Sequence, residues 1–576
     1  MDQYQAPIEE IDAAMRTAGI RQVLALPAYT GIDEGAVHDV LDGFGKLAAE
    51  IIAPTDVIGD REGARLDPAT GIVTVPDALV EAFRHYVDGG WQSISGPVEM
   101  GGGGFPGVVG TAVHEMFGSA NMALSLNPML TQSAVELLER WGDDAQKAEV
   151  LPHLVDGSWS GTMNLTEPDA GSDLGAVRTT AVDRGDGTWS ISGTKIFITW
   201  GEHDLAENII HLVLARTPDA PAGTRGISLF LVPKFVIGAD GLPGARNAVR
   251  CLSIEHKLGI HASPTCVIEF FEAQGKLVGP LLGGMNAMFS MMNPARLEVG
   301  VQGVSIGERA FQQARSYAAE RLQGQAPGAT TSSPIIEHPD VQRMLLDIAA
   351  TRDAMRLLTY ATAVAADLAH HHEDPEERAR YQRRVDLLTP LAKAWCTDEG
   401  VRVASVALQV HGGMGFVEET GIAQRYRDAR IAPIYEGTNG IQAIDLVGRK
   451  IGRDGGAAAN ELFDEIERSM ATAVGNTELA DVAAEVAAAL ADARAATAWI
   501  VEQSARDRTA VLAGACSFLE LLSVTAVGEL LLRHAMEVGS VRAIRRAQFF
   551  AIEALRSRPR LDQVRLGLLP LRDGID

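Results

Sequence analysis

TTAVDRGDGTWSISGTKIFIT, residues 179–199, sets β-branched and aromatic residues on both sides of Gly185-Asp186-Gly187. The pattern predicts two strands joined by a tight turn, with Asp-Gly supplying the positive-φ positions. IIHLVLAR (209–216), GISLFLVP (226–233) and TCVIEFF (265–271) are further strand-like runs bounded by Gly/Pro loops. Upstream, LDGFGKLAAEII (41–52) and VVGTAVHEMFGSA (108–120) space their apolar residues by three and four, the period of a helix. Downstream the same period returns over 295–322, 341–369 and 386–408, with the loop GQAPGATTSSP (324–334) after the first of them. Helix, strand, helix in that order predicts an α+β architecture rather than an alternating doubly wound sheet.

These changes of texture divide the chain into an N-terminal extension (1–34), an N-terminal helical domain (35–158), a middle β domain (159–282), a C-terminal helical bundle (283–453) and an additional Ala-rich helical domain (454–576). In the last, Val482, Val486 and Leu490 form a helix face for packing. Thr509–Leu532 is apolar enough to suggest a membrane span, but Glu520 and Glu529 interrupt it. A carboxylate near a bilayer centre costs about 2.5–3.5 kcal/mol, so a buried bundle helix is expected instead.

The 576 residues carry 50 Lys+Arg against 75 Asp+Glu, a formal charge of −25. That balance speaks against nucleic acid and against anionic lipid, both of which need clustered cations. A hydrophobic share of 46% with 22% charged residues supports a folded core. The four cysteines (Cys251, Cys266, Cys396, Cys516) are scattered, giving neither a disulfide framework nor metal-ligand spacing. The acidic N-terminus has no apolar signal core, so the cytoplasm is the expected compartment.

No G-x-G-x-x-G opening a βα unit, Walker A loop, H-E-x-x-H or G-x-S-x-G is present. His370-His371-His372 fits a solvated helix end better than a metal site. Three segments do carry chemistry. Met163-Asn164-Leu165-Thr166-Glu167-Pro168-Asp169-Ala170-Gly171-Ser172-Asp173 offers hydroxyls and open backbone to a planar or anionic ligand. Lys195-Ile196-Phe197-Ile198-Thr199-Trp200-Gly201 ends a strand in polar and aromatic groups. Gln409-Val410-His411-Gly412-Gly413-Met414-Gly415-Phe416 is followed by Arg427-Asp428 and by Ile434-Tyr435-Glu436-Gly437-Thr438-Asn439. Singly each reads as a turn or a helix start; together, in this order and spacing, they are specific.

From about residue 35 to 450 the chain resembles the acyl-CoA dehydrogenase family of flavoproteins, through LTEPDAGSD, QVHGGMGF with RDARI, and IYEGTNGIQ. Within it, the extension YQAPIEEI, the form GTMNLTEP, the insert before PIIEHPDVQRML and the extra helical domain resemble the longer bacterial branch that includes 3-methylmercaptopropionyl-CoA dehydrogenases. The resemblance implies an acyl-CoA dehydrogenase-like fold, two helical domains flanking a β-barrel-like middle domain plus the additional C-terminal domain, with FAD as cofactor. Met163, Leu165 and Thr166 match positions along the flavin ring, with Gly171 and Ser172 beside the pyrophosphate and substrate. Phe197, Ile198 and Thr199 match the strand on the ring's other edge. Arg321, Gln409, Gly412 and Gly413 match positions that hold the ADP half of a neighbouring subunit's FAD, and Thr438 a further flavin contact at a helix start. A homo-oligomer is therefore implied, a dimer ahead of a tetramer, with the extra domain filling the space of a second dimer.

Glu436 matches the catalytic base, which removes an α-proton while hydride leaves the β-carbon for flavin N5. Such a base must be stronger than an exposed glutamate of pKa about 4.3, and burial against substrate and flavin raises it. Ser172, Asn293, Arg296 and Gly437 match substrate-binding positions. The helix carrying Asn293 and Arg296 lacks the carboxylate that some branches use as base. Gln424, Arg321-Leu322-Gln323-Gly324 and Gly440 depart from the family at inter-subunit FAD contacts. The reading is an acyl-CoA dehydrogenase of fatty-acid metabolism that passes electrons to an electron-transfer flavoprotein. An acyl-CoA oxidase and a non-catalytic flavin or acyl-CoA binder are the alternatives, and the acyl chain is left open.

Overall fold

The computed structural model describes residues 3–473 and 475–569. Residues 1–2 of the expected extension, and 474 and 570–576 of the expected additional domain, lie outside them. The chain forms two compact units, each assembled from discontinuous sequence. One takes Gly43–Phe105 and Met116–Ala295; the other takes the described residues up to Asp42, Pro106–Glu115 and those from Arg296 onward.

The first unit holds the sheet. β1 (Arg65–Asp67) and β2 (Ile72–Thr74) pair as a ribbon. They are followed by β3 (Trp159–Asn164), β4 (Thr180–Asp183), β5 (Trp189–Thr199), β6 (Asn208–Ala215), β7 (Ser228–Pro233), the ribbon β8 (Phe235–Ile237) and β9 (Pro243–Arg246), then β10 (Val249–Ile254) and β11 (Thr265–Val278). Seven of these form one sheet in the order β3-β6-β7-β11-β5-β4, with β10 also on β11. β3 and β6 pair in parallel and the other strand pairs of this order antiparallel, while a single parallel bridge joins Thr180 to Arg216 just past β6. β11 pairs with β5 and β10 along its first part and with β7 at Lys276–Val278. Within the β5 pairing the register shifts past Glu272, whose φ is 56°, and the pairing resumes over residues 273–275 just before β7 takes over. Such a bulge bends its strand. Both halves of the sheet consequently face one core, where Ala181, Ile191, Ile198, Val213, Phe230 and Ile268 meet, and the β region is barrel-like as expected.

The hairpin at 179–199 forms, with a different turn from the one expected. Positive φ falls on Gly185 (78°) and Gly187 (86°), while the Asp186 carboxylate accepts the Thr188 N–H at 2.9 Å. The aspartate fixes the turn by a hydrogen bond instead of adopting the left-handed conformation.

Three long helices dominate the second unit: the first is Gly284–Glu320, entering it at Arg296, the second Pro339–His371 and the third Pro375–Val410. The third begins eleven residues before the expected 386, because PEERARYQRRV has no apolar period to read. Ion pairs hold that polar start instead: Arg380 with Glu377 (2.7 Å) and Glu465 (3.2 Å), and Arg383 with Glu461 (2.6 Å). Farther along, the first and third helices approach closely. A Cβ on Gly303 would stand 2.1 Å from the Cys396 carbonyl oxygen, and one on Gly400 2.9 Å from Gly303 Cα.

A buried charge network fastens these helices. Arg356 (1% exposed) pairs with Glu115 at 2.6 Å and Glu308 at 2.7 Å. Arg352 pairs with Glu308 (3.1 Å) and Asp353 (2.7 Å), and Asp353 with Arg546 (2.6 Å) of the helix Val541–Phe550. The helix Ile8–Ala18 joins the same region, its Thr17 hydroxyl within 2.9 Å of His534 Nδ1 and donating to Glu537 at 2.8 Å.

The stretch 509–532 is not one helix. Arg508–Ala513 and Ala515–Val538 meet at Gly514, where a Cβ would lie 1.8 Å from the Val564 carbonyl oxygen. Ala515–Val538 is long and apolar enough to cross a bilayer, and 83% of its most apolar window is buried in protein. His370 and His371 end the second long helix; among the described residues no group of His, Cys, Asp or Glu is arranged to hold a metal.

Candidate active site

In the sheet-bearing unit, β3 delivers Met163 and Asn164 and the chain leaves it at Leu165-Thr166. Thr166 is pinned to the neighbouring strand, its carbonyl accepting the Ile196 N–H at 2.9 Å. Glu167 and Ala170 exchange backbone hydrogen bonds of 3.1 and 3.0 Å, closing a tight loop that leaves Gly171 and Ser172 exposed. Lys195, wholly buried, donates to the Leu165 carbonyl at 3.0 Å and to Glu167 at 2.8 Å. Glu167 accepts further bonds from the Arg178 and Thr179 N–H groups and from the Thr179 hydroxyl. Burial pulls the Lys195 ammonium down to about 8, and the Glu167 charge limits the fall. Glu167 itself is raised by burial but held below its ordinary value by Lys195 and these hydrogen bonds.

Phe197 has φ 58° and is 59% exposed, an uncommon pose for an aromatic residue. Ile198 points into the barrel core, so only its backbone is offered, and Thr199 is half-buried. Asn164 Oδ1 is buried without a hydrogen-bond partner among the described residues, and a Cβ on Gly171 would meet nothing. An exposed ring, an unsatisfied amide oxygen and open backbone fit a planar, polar-edged cofactor such as a flavin. Removing the Thr179 hydroxyl with Thr179→Val is expected to cost about 1.5–3 kcal/mol, the worth of a hydrogen bond to a charged group. It is also expected to lower the flavin-to-protein absorbance ratio after gel filtration; an unchanged ratio would separate loop order from cofactor retention.

In the helical unit, Arg321 follows the first long helix and Gln409 lies in the last turn of the third. The Tyr317 and His411 rings stack at 4.4 Å and tie these two helix ends together, and Arg321, Gln409, Gly412 and Gly413 lie close to one or the other ring in sequence. Cβ atoms on Gly412 or Gly413 would meet nothing, whereas one on Gly415 would lie 2.2 Å from the Leu408 carbonyl oxygen. The first two glycines leave room for a ligand and the third permits the turn. Gln424 is buried and donates to Asp428 at 3.3 Å, so it faces inward.

Glu436 sits in a strained turn with φ 53°, followed by Gly437 at φ 82°. A left-handed non-glycine residue costs about 1–3 kcal/mol and persists only where its surroundings over-determine it. Here they do. Asn439 N–H donates to the Pro433 carbonyl at 3.0 Å, and the Asn439 amide donates to the Ala394 carbonyl and Thr397 hydroxyl, both at 3.0 Å. Tyr435 hydrogen-bonds Gln302, and the Gln442 amide donates to the Glu436 and Gly437 carbonyls at 3.4 Å. Thr438 caps the following seven-residue helix, accepting the Ile441 N–H at 3.2 Å; its hydroxyl is used there.

Burial raises the Glu436 carboxyl above its ordinary value, and the charges of Arg296 and Lys393 oppose the rise. Arg296 is buried and feels Asp445 and Glu436 in turn. Asn293, one turn earlier on the same helix, is exposed. Lys393 is wholly buried; burial lowers its ammonium to about 7, with Glu436 and Asp398 opposing. Asn439 and Gln442 stand in IYEGTNGIQ without a role of their own in the sequence reading of the site, and Lys393 escapes that reading altogether. The available signal was the lone charge in the apolar run Leu391-Ala392-Lys393-Ala394-Trp395-Cys396.

Comparison with known proteins bears on both units. Models of the acyl-CoA dehydrogenase N-terminal, middle and C-terminal domains match residues 66–158, 162–273 and 283–451, and an acetyl-CoA dehydrogenase C-terminal-like model matches 462–550. The chain is 50% identical over 534 residues to 3-methylmercaptopropionyl-CoA dehydrogenase of Ruegeria pomeroyi, covering 91% of this chain and 90% of that one. Its fold matches Caenorhabditis elegans ACDH-11 solved with C11-CoA, at TM-score 0.84 and 20% identity over 98% of this chain and 93% of that. It also matches an acyl-CoA dehydrogenase of Bacillus anthracis solved with FAD, at TM-score 0.74 and 20% identity over 96% and 93%.

Proposed function

Since the chain belongs to the acyl-CoA dehydrogenase family, FAD-dependent enzymes that dehydrogenate acyl-CoA, we propose that Glu436 is its catalytic base and that the product is a trans-2-enoyl-CoA. The observation that carries the reading is the Glu436 carboxyl itself, raised by burial and held by a strained, over-determined turn between Arg296 and Lys393. Bound FAD supplies the hydride acceptor. The chain supplies the rest: Glu436 takes the α-proton, and its backbone N–H supports the negative charge that develops on the thioester oxygen. Arg296, Asn293, Ser172 and Gly437 bind and orient the acyl-CoA. Met163, Leu165, Thr166, Gly171, Ser172, Phe197, Ile198 (through its backbone), Thr199 and Thr438 hold the cofactor. Arg321, Gln409, Gly412 and Gly413 hold the ADP half contributed from a second copy. Domain limits near 35, 159, 283 and 454 belong to the same reading.

A dimer follows from that shared cofactor, and the exposed Met414, Phe416 (89% exposed) and Val417 beside Gly412-Gly413 support it. A tetramer in sedimentation analysis would sink it. The cytoplasm is the proposed compartment and an electron-transfer flavoprotein the proposed acceptor. The substrate tested first is 3-methylmercaptopropionyl-CoA, on the strength of the Ruegeria relative.

The deciding experiment mixes the yellow protein anaerobically with that thioester and with a panel of straight-chain and arylpropionyl-CoAs. Bleaching of the oxidised-flavin band is expected, strongest with the thioether substrate. Fast recolouring by air in place of electron-transfer flavoprotein would make the protein an oxidase. Flavin that no thioester bleaches would make it a non-catalytic binder.

A further inference from the structure

Lys393 is a costly residue for its place. A buried ammonium pays a desolvation penalty that a methionine of similar length avoids, so a packing role alone does not account for it. The close approach of the first and third long helices at Gly300, Gly303 and Gly400 seals it from water: a Cβ on Gly300 would stand 2.7 Å from the Ala392 carbonyl oxygen and 3.4 Å from Lys393 N. The same approach brings Arg296, on the first helix, and Lys393, on the third, to act on Glu436 together.

Two observations define what Lys393 does there. Its Nζ donates to Asn439 Oδ1 at 2.9 Å, and Asn439 is the residue whose amide and backbone N–H anchor the far end of the Glu436 turn. The charged groups acting on Lys393 are Glu436 in the turn, Asp398 on its own helix and Arg296 on the first helix. Asp398 is in turn engaged by Asn439, Lys393 and Arg430. The ammonium therefore has one mechanical attachment and one electrostatic neighbour in the same loop.

We propose that Lys393 is a positioning residue for proton abstraction: it clamps Asn439 to hold the left-handed Glu436–Gly437 turn, and its charge keeps the Glu436 carboxylate ionised. The inference rests on Glu436 being the base. A nearby cation favours the ionised carboxylate, so its loss moves the protonation of Glu436 to higher pH and removes competent enzyme on the acid limb. Asn439 carries the clamp without the charge, which makes the two contributions separable.

The test records kcat/KM against pH for the FAD-loaded wild type, Lys393→Met and Asn439→Ala, with Glu436→Gln alongside. In Lys393→Met the acid limb is expected to rise by about one pH unit, so that activity well below the limb falls about tenfold and activity on the plateau changes little. In Asn439→Ala kcat is expected to fall while the limb stays in place. An acid limb in Lys393→Met that coincides with the wild type overturns the proposal. Wild-type turnover in Glu436→Gln is a different outcome and removes the base reading itself. Hydrogen exchange over residues 433–439 reads the clamp without turnover: faster exchange is expected in both variants, and wild-type protection overturns the clamp. Should Lys393→Met fail to fold, Asn439→Ala decides alone, and unchanged kcat with unchanged exchange overturns the proposal.

Discussion

Glu436→Gln is expected to lower kcat by about 10²–10⁴-fold, the contribution of a positioned general base, while acyl-CoA still binds. The amide is isosteric, keeps the turn and accepts hydrogen bonds, but cannot take up the α-proton. Its neighbours Arg296 and Lys393 lose the anion they face, so a modest loss of stability accompanies the loss of rate. For the wild type the sign of the pH dependence follows from the same environment. Only the ionised carboxylate is competent, and burial raises its pKa against the pull of the two cations. Activity therefore climbs with pH through a value above that of an exposed glutamate, about 4.3. Single-turnover flavin reduction measured from about pH 5 to about pH 9, a range that brackets a base working near neutrality, checks both points. A Glu436→Gln variant that reduces its flavin at the wild-type rate would leave the chain with no base among the residues discussed.

Arg356→Ala is expected to destabilise the protein by about 3–5 kcal/mol, as removing one partner of a buried ion pair does. Glu115, 0% exposed, would lose its guanidinium partner and keep the Tyr360 hydroxyl at 2.7 Å, while Glu308 would be left with the longer pair to Arg352 at 3.1 Å and the Gln312 amide at 2.8 Å. Arg356→Met is expected to cost as much, because the stranded carboxylates and not the lost volume set the penalty. The measurement is the urea midpoint at fixed protein and FAD concentration, since a chain of two units need not unfold in one step. The network also sets an acid response. Burial works against the Asp353 carboxylate, yet Arg352, Arg546 and Arg356 together hold it well below the usual range. A depressed carboxyl contributes stability above its unfolded pKa and loses it as pH falls toward the folded one. Acid is therefore expected to loosen the helix Val541–Phe550, tied through Arg546, ahead of helices that lack such a bond.

The sequence announced its chemistry more clearly than its packing. The Glu-Gly-Thr-Asn segment was readable because a base, a left-handed glycine and a cap must sit within a few residues of one another, so the constraint is local. The apolar periods of the long helices were readable for the same reason. PEERARYQRRV was not, because a polar helix start leans on Glu461 and Glu465, some eighty residues away. Gly514 interrupts an otherwise continuous apolar run for a reason held by Val564. Lys393 looks like any lysine until the helix opposite closes to glycine distance. In each case the missing information was a long-range contact, to which spacing along the chain is blind.

Thr17 meets His534 across 517 positions of sequence. The helix Ile8–Ala18 also packs on Pro339–His371, but at a synthesis rate of roughly 5–20 residues per second about 25–100 s pass before its late partner, the helix Ala515–Val538, is made. Throughout that wait the side of the helix that meets Ala515–Val538 in the finished protein faces water or a chaperone. The sheet-bearing unit ends at Ala295 and can close hundreds of residues earlier. Expression yield is therefore expected to depend more on shielding this first helix than on the stability of the barrel, and a slower ribosome lengthens the exposure.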